Sequence, residues 1–178
     1  MNTSILVVGR IGQVGRELAR GDWPAVGAVD FVERPQSDLT RQDIVVNAAA
    51  YTAVGAAESD RVATFAVNRD GPAWLAEICR GLGAALVHFS TDYVHDRRKP
   101  EAYVETDLVA PLSVYGASKA EGDAAIAARL ERHVILRTSW VYSGKIARVY
   151  GIEAPPWQVS LSAVLDELIA AAVPTERG

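Results

Sequence analysis

The sequence predicts a doubly wound α/β fold on a parallel sheet, Rossmann-like in plan. Short apolar runs alternate with helical stretches, the first run opens into a glycine-rich turn and a helix, and a Tyr and a Lys stand four residues apart on a later helix. Strands are expected at 4–8, 26–30, 44–47, 85–90 and 133–138, and helices at 13–20, 61–68, 72–82, 115–130 and 160–172. Ser4-Ile5-Leu6-Val7-Val8 is almost wholly apolar and rich in β-branched residues, as in a parallel strand buried on both faces. Pro155-Pro156 breaks the chain before the last expected helix. There Leu161, Val164, Leu165, Leu168 and Ile169 keep helical spacing, which reads as core packing rather than an oligomer surface. No internal repeat or low-complexity segment interrupts the pattern.

After the first strand come Gly9-Arg10-Ile11-Gly12-Gln13-Val14-Gly15 and then Arg16-Glu17-Leu18-Ala19-Arg20, which reads as helix. Strand, glycine turn and helix is the order a nucleotide-binding β-α unit needs. Residues without Cβ let the turn close and a pyrophosphate approach, while the helix N-terminus offers free N–H groups. The spacing is G-x-x-G-x-x-G, and the bland reading is that the glycines only make turns. Asp30, about twenty residues past the first glycine, stands where a ribose-binding carboxylate is expected and favours NAD. Arg10 and Arg34 could hold a 2′-phosphate, which leaves NADP open.

Tyr115 and Lys119 begin an Ala-rich stretch that reads as a helix to Leu130. Residues four apart share a helix face, so both side chains can address one ligand. A fixed ammonium near a phenol should lower its pKa toward working pH, which suits acid/base chemistry at a carbonyl. The same Lys could hydrogen-bond a nicotinamide ribose; the bland reading is a surface Tyr and a solvated Lys. Ala85-Leu86-Val87-His88-Phe89-Ser90 reads as a buried strand ending in Ser90-Thr91-Asp92-Tyr93. Ligands of open parallel sheets bind beyond such ends, where Thr91 could hold a carbonyl oxygen or merely cap a turn. His88 reads as core.

Six segments in order resemble the dTDP-4-dehydrorhamnose reductase family of extended short-chain dehydrogenases/reductases. They are Gly-x-x-Gly-Gln-x-Gly at 9–15, Asn47 to Val54 with Ala57-Glu58, Val67-Asn68-Arg69-Asp70-Gly71-Pro72, Ser90-Thr91-Asp92-Tyr93-Val94, Val114 to Lys119, and Arg137-Thr138-Ser139-Trp140-Val141-Tyr142. The resemblance implies Thr91, Tyr115 and Lys119 as the catalytic set, with Tyr115 protonating the C4 carbonyl of a nucleotide-linked sugar. It implies Gly9, Ile11, Gly12, Gln13 and Val14 at the pyrophosphate, Asp38 and Leu39 at adenine, and Ala48, Ala49, Ala50 and Thr52 behind the nicotinamide and its ribose. It places Val54, Asp92, Tyr93 and Trp140 in the sugar pocket. A related dehydratase would carry Asp-Glu after the catalytic Thr; here Tyr93 follows Asp92, so reduction is expected rather than elimination. The implied cofactor is NADPH or NADH, the implied partner is the nucleotide-sugar substrate, and a homodimer is compatible with the family. Some members hold Mg, for which no residue of this sequence can be assigned.

Departures from that pattern set the domain expectations. Only Arg41 and Gln42 separate Asp38-Leu39-Thr40 from Asp43-Ile44-Val45-Val46, too few for the helical crossover expected there. Past Lys145 the family continues through a substrate lobe, whereas this chain passes almost at once to its tail. Residues 1–142 are therefore expected to form the dinucleotide-binding domain with the catalytic residues, and 143–178 a remnant of the substrate region. The favoured reading is of segments of a longer polypeptide joined across omitted stretches, against a gene product truly cut down. A non-catalytic dinucleotide-binding regulatory subunit is the second functional class, although a tuned phenol has no use in it. Gly55 replaces a usual Asp, and His95-Asp96-Arg97-Arg98-Lys99 a more glycine-rich loop.

At 178 residues and 49% hydrophobic, the chain can bury one core. A net charge of -4 argues against nucleic acid as partner. No run reaches membrane-span length, and the first residues lead into a strand rather than a signal peptide. Cys79 alone excludes an internal disulfide and a cysteine-rich metal site, so a reducing cytoplasm is expected.

Overall fold

The sheet is built from apolar runs of four to seven residues whose alternate side chains enter two separate cores. In the computed structural model, which describes residues 3–21, 23, 28–32 and 43–139, the strands are β1 (Ser4–Val8), β2 (Ala28–Val32), β3 (Ile44–Asn47), β4 (Ala85–Thr91) and β5 (His133–Thr138). They lie in the order β2-β1-β3-β4-β5, and every pair is parallel. The helices are α1 (Gln13–Arg20), α2 (Val54–Ala57), α3 (Arg61–Phe65), α4 (Gly71–Leu82) and α5 (Val114–Arg129). On one face Ile5, Val7, Ile44, Val46, Ala85 and Val87 pack with Leu18 of α1. On the other Leu6, Val45 and Leu86 pack with Ala76 and Cys79 of α4 and Ile126 of α5. Burial on both faces explains why these strands read as continuous apolar runs.

Three strands keep the expected bounds, and β4 starts as expected but runs one residue further, to Thr91. The second strand is shifted: it continues through Asp30 to Val32, because Phe31 and Val32 pair with Val7 and Val8 of β1. β3 is parallel to β1 from Ile5↔Ile44 to Val8↔Asn47, and the short connection expected before it lies, up to Gln42, outside the described residues. The expected helix at 160–172, with Arg34, Asp38, Leu39 and Trp140, lies outside the described residues.

The helices expected at 61–68 and 72–82 are one unbroken run, since a π-helical turn, Ala66–Asp70, joins α3 to α4. Pro72 stands in the first turn of α4. It has no N–H to give the carbonyl of Asn68 four residues back, and a wider turn accommodates that loss. Gly122 of α5 sits against that carbonyl: a Cβ there would collide with Asn68 O. Gly122→Ala is expected to cost about 1–3 kcal/mol, seen as a lower midpoint in thermal unfolding. An unchanged midpoint would mean that α5 does not press on the π turn.

Candidate active site

The site forms where the chain leaves the carboxyl ends of β1, β3 and β4. Gly9 follows β1 at φ +100°, in the region that favours glycine. A Cβ there would lie 2.6 Å from the Ala49 amide nitrogen, so the first turn and the segment leaving β3 touch only because residue 9 has none. The Gly12 N–H donates to Gly9 O at 3.2 Å, and Gly12 O accepts from the Arg16 N–H at 3.0 Å, which starts α1. No acidic side chain stands in the first turn of α1, leaving its N–H groups and positive dipole end available to an anion. Gly15 acts differently. It is buried, and a Cβ would run into Gly9 O, so it seats the helix on the turn.

Asn47 ends β3 beside His88 of β4. Its Oδ1 accepts from the Ala49 N–H at 3.1 Å, which shapes the turn through Ala48, Ala49 and Ala50. Asn68, buried in the π turn, clamps the next residue: Oδ1 accepts from the Tyr51 N–H at 2.8 Å, while Nδ2 donates to Tyr51 O and Ser118 Oγ, both at 3.0 Å. The wall behind the crevice is thereby tied to α5, one residue from Lys119.

Thr91 ends β4 and caps a short 3-10 turn, Asp92–Val94. Its Oγ1 accepts from the Tyr93 N–H and donates to Asp92 Oδ1, each at 3.2 Å. The capping role and a place in the site thus coexist, for Thr91 lines the same cavity as Tyr115 and opposes the rise in its pKa. Ser113 caps α5, its Oγ accepting from the Gly116 N–H at 3.1 Å. One turn inside, Tyr115 meets the ring of Tyr93 edge-on at 5.7 Å, and Arg97 lies over the Tyr93 ring at 4.5 Å.

Lys119 is fully buried. Its Nζ donates to Phe89 O at 2.6 Å and lies 2.9 Å from His88 Nε2. Burial lowers its pKa to about 8, against a smaller opposing pull from Asp123. Asp123 accepts from Ser90 Oγ at 2.8 Å and pairs with Arg137 at 3.4 Å, yet burial still raises its carboxyl pKa. His88 is held neutral, first by burial and then by Lys119. The expectation that Lys119 lowers the Tyr115 pKa is corrected. Burial of the phenol raises its pKa, the Thr91 hydroxyl lowers it less, and the acidic charge of Asp92 and Asp123 adds to the rise. The ammonium is turned along β4 toward Phe89 and His88, so it does not serve the phenol.

A cavity of about 820 Å³ gathers most of the expected site residues. Gly9, Ile11, Gly12, Gln13 and Val14 line one end, Ala48, Ala49, Ala50, Thr52 and Val54 the wall, and Thr91, Asp92, Tyr93, Tyr115 and Lys119 the far side. Gly15 and Asp30 do not line it. Asp30 stands mid-strand opposite Leu6, two residues short of the end of β2, so the spacing rule overestimated how far along the strand it lies. Asn47, Asn68, His88 and Asp123 were missed as site-building residues. The one legible signal was the i,i+4 pair Lys119 and Asp123. Among the described residues no cluster of His, Cys, Asp or Glu could hold a metal, and no helix is long and apolar enough to cross a membrane. Cys79 is buried, its thiol pushed up to about 11.

A parallel sheet with a glycine turn at its first βα junction and a Thr, Tyr and Lys around the same crevice is of the Rossmann-like class. Residues 2–149 match the family model described as the RmlD substrate binding domain, and the chain belongs to that family. It is 46% identical over 151 residues to a dTDP-4-dehydrorhamnose reductase of Sinorhizobium fredii, a match covering 78% of this chain and 51% of the relative. Among solved structures, it resembles a dTDP-4-dehydrorhamnose reductase from Bacillus anthracis in complex with NADP, with TM-score 0.75 and 30% identity over 87% of this chain and 62% of that one. The reductase from Clostridium acetobutylicum gives TM-score 0.74 and 32% identity, covering 84% and 59%. The chain spans about half the length of the curated relatives it matches.

Lys119 also sets a stability test. A lysine whose pKa falls from 10.5 to about 8 on folding leaves the unfolded chain with more bound protons between those values, so its contribution to stability rises with pH there. Lys119→Met removes that contribution. The variant's stability relative to the parent should therefore be greatest below pH 8 and decline toward pH 10.5, by on the order of 2–3 kcal/mol. Urea unfolding at several pH values measures it, and a difference independent of pH would contradict the assigned burial.

Proposed function

We propose that this chain carries the cofactor-binding and catalytic part of an NAD(P)H-dependent nucleotide-sugar ketoreductase, one that reduces the C4 carbonyl of dTDP-4-dehydro-6-deoxy-L-mannose to give dTDP-L-rhamnose. The observation that carries this reading is that one cavity joins the glycine turn at residues 9–14 to Thr91, Tyr115 and Lys119. The names of the relatives and the NADP bound in one of them point the same way. Residues 1–142 would be the dinucleotide domain and 143–178 part of the substrate region. The enzyme would work in the cytoplasm on a soluble nucleotide sugar, as a homodimer in keeping with its family.

The residues present fit a dinucleotide. Gly9 admits no Cβ, and the first turn of α1 has N–H groups and no acid, so a pyrophosphate can be held by backbone donors at Gln13 and Val14. Ala48, Ala49 and Ala50 are small enough to back a flat ring, and the Lys119 amine would address a ribose hydroxyl from the far side of the same cavity. A reduced nicotinamide, if bound there, would supply the hydride for C4. Thr91 Oγ1, its hydroxyl turned from Asp92, would position the sugar carbonyl oxygen, and Tyr115 Oη would give that oxygen its proton as the C4–H bond forms. The raised phenol pKa keeps Tyr115 protonated, the state a donor needs, and the phenolate left behind takes a proton from water. Tyr93 and Val54 would meet the sugar, with Asp92 held by Ser139 at 3.1 Å beside it.

Turnover of dTDP-4-dehydro-6-deoxy-L-mannose with NADPH, followed by loss of reduced-nicotinamide absorbance, tests the reading. Tyr115→Phe should lower kcat by about 10²–10⁴ with cofactor affinity little changed. Cofactor binding without turnover in the parent protein would favour the regulatory-subunit reading instead.

A further inference from the structure

Lys119 faces a donor where an ammonium needs an acceptor. The Ala49 N–H can only donate, which fixes the Asn47 atom it meets at 3.1 Å as the oxygen. Asn47 Nδ2 therefore lies against His88 Nδ1, at 3.0 Å, and Nδ1 must accept. His88 is fully buried and neutral, so its single ring proton is on Nε2. That proton points at Lys119 Nζ, 2.9 Å away, with Asp123 Oδ1 further off at 3.9 Å and otherwise without a hydrogen-bond partner. An ammonium has three donors and no lone pair. A neutral amine fits every contact: one N–H to Phe89 O, one toward the cavity, and its lone pair to the His88 proton.

We propose that His88, locked by Asn47 with its proton on Nε2, is a positioning residue that promotes loss of the Lys119 ammonium proton, so that the amine in the crevice alternates between accepting from the imidazole and carrying charge. The proton lost passes to water through the cavity that Lys119 lines. Recharging Lys119 requires Nε2 to give up its hydrogen. The ring proton then moves to Nδ1, and the Asn47 amide turns over and releases the Ala49 N–H. Lys119 charge is thereby coupled to the backbone at Ala49, part of the alanine wall that would back the nicotinamide. The other groups facing this cluster are Asp123 and Tyr115 on α5, Arg137 on β5 through its pair with Asp123, and Asp92 beyond Thr91. Asp123 favours the charged lysine, whereas His88 in this tautomer opposes it. Only the bearing on turnover rests on the proposed reductase activity; the proton arrangement does not.

The test needs no turnover. The chain has three lysines (Lys99, Lys119 and Lys145) and three histidines (His88, His95 and His133), so ¹⁵N labelling of both residue types gives few side-chain signals, assigned by their loss in single variants. In the parent protein His88 should show a protonated Nε2 and a bare Nδ1, and Lys119 should titrate below the ordinary lysine value of 10.5. His88→Gln places a carbonyl acceptor within reach of Nζ and should raise the Lys119 midpoint by about one unit, a tenfold change in the charged fraction. A proton on Nδ1 in the parent, or an unmoved midpoint in His88→Gln, overturns the proposal. If the variant does not fold, the parent tautomer decides alone. A protein with the expected tautomer and midpoints but no reductase activity would sustain this inference and defeat the functional reading.

Discussion

The structure turns on a lysine amine taken out of water and fastened to the backbone of a neighbouring strand. The bond from Lys119 Nζ to Phe89 O at 2.6 Å ties the middle of α5 to the end of β4. Because Tyr115 is one helical turn away, that tie also brings the phenol over Thr91 and into the crevice. Two other polar links join these elements, Lys119 Nζ to His88 Nε2 at 2.9 Å and Ser90 Oγ to Asp123 at 2.8 Å, the latter completed by Arg137 of β5 at 3.4 Å. Buried charge is expensive unless paired. Here the cost is moderated by a lysine that titrates near 8 and by a carboxyl whose pKa is raised.

Such an arrangement changes the electrostatic role of the Tyr and Lys pair. On a bare helix, an ammonium four residues from a phenol would stabilise the phenolate. In the folded protein the long side chain turns to β4, burial dominates the phenol, and Tyr115 is kept protonated. A reductase needs its donor in that state, so the burial that undoes the simple charge argument favours the direction of chemistry proposed here. The neighbouring glycines act by the same economy of space. Gly9, Gly15 and Gly122 each stand where a Cβ would strike a backbone atom of the opposing segment.

Much of this was legible in the sequence because the elements are bounded by strong local signals. Ser4–Val8, Ile44–Asn47 and His133–Thr138 form as their apolar patterns predict, and the order of glycine turn and helix after the first strand identifies the crevice. The edge strand was harder. Ala28 to Val32 alternates between exposed and half-buried positions, so nothing local showed that pairing with β1 would carry it past Asp30. The π turn was hidden by Gly71-Pro72, a pair that reads as a break in a helix and here only widens one. Least legible was the chain from Asn47 to His88, Lys119 and Asp123. Its members come from β3, β4 and α5, and cross-strand register, which no spacing rule supplies, puts Asn47 opposite His88.

Half the length of the relatives is enough to hold every element around the crevice, because the residues of the glycine turn, the alanine wall and the Thr, Tyr and Lys set all precede residue 120. The most direct test is a crystal structure of the polypeptide grown with NADP⁺. The expected result is pyrophosphate against the amides of residues 13 and 14, with the nicotinamide between the Ala48–Ala50 wall and Tyr115. Density for the dinucleotide away from the Gly9 turn, or a nicotinamide separated from Tyr115 by the breadth of the sheet, would contradict the single shared crevice.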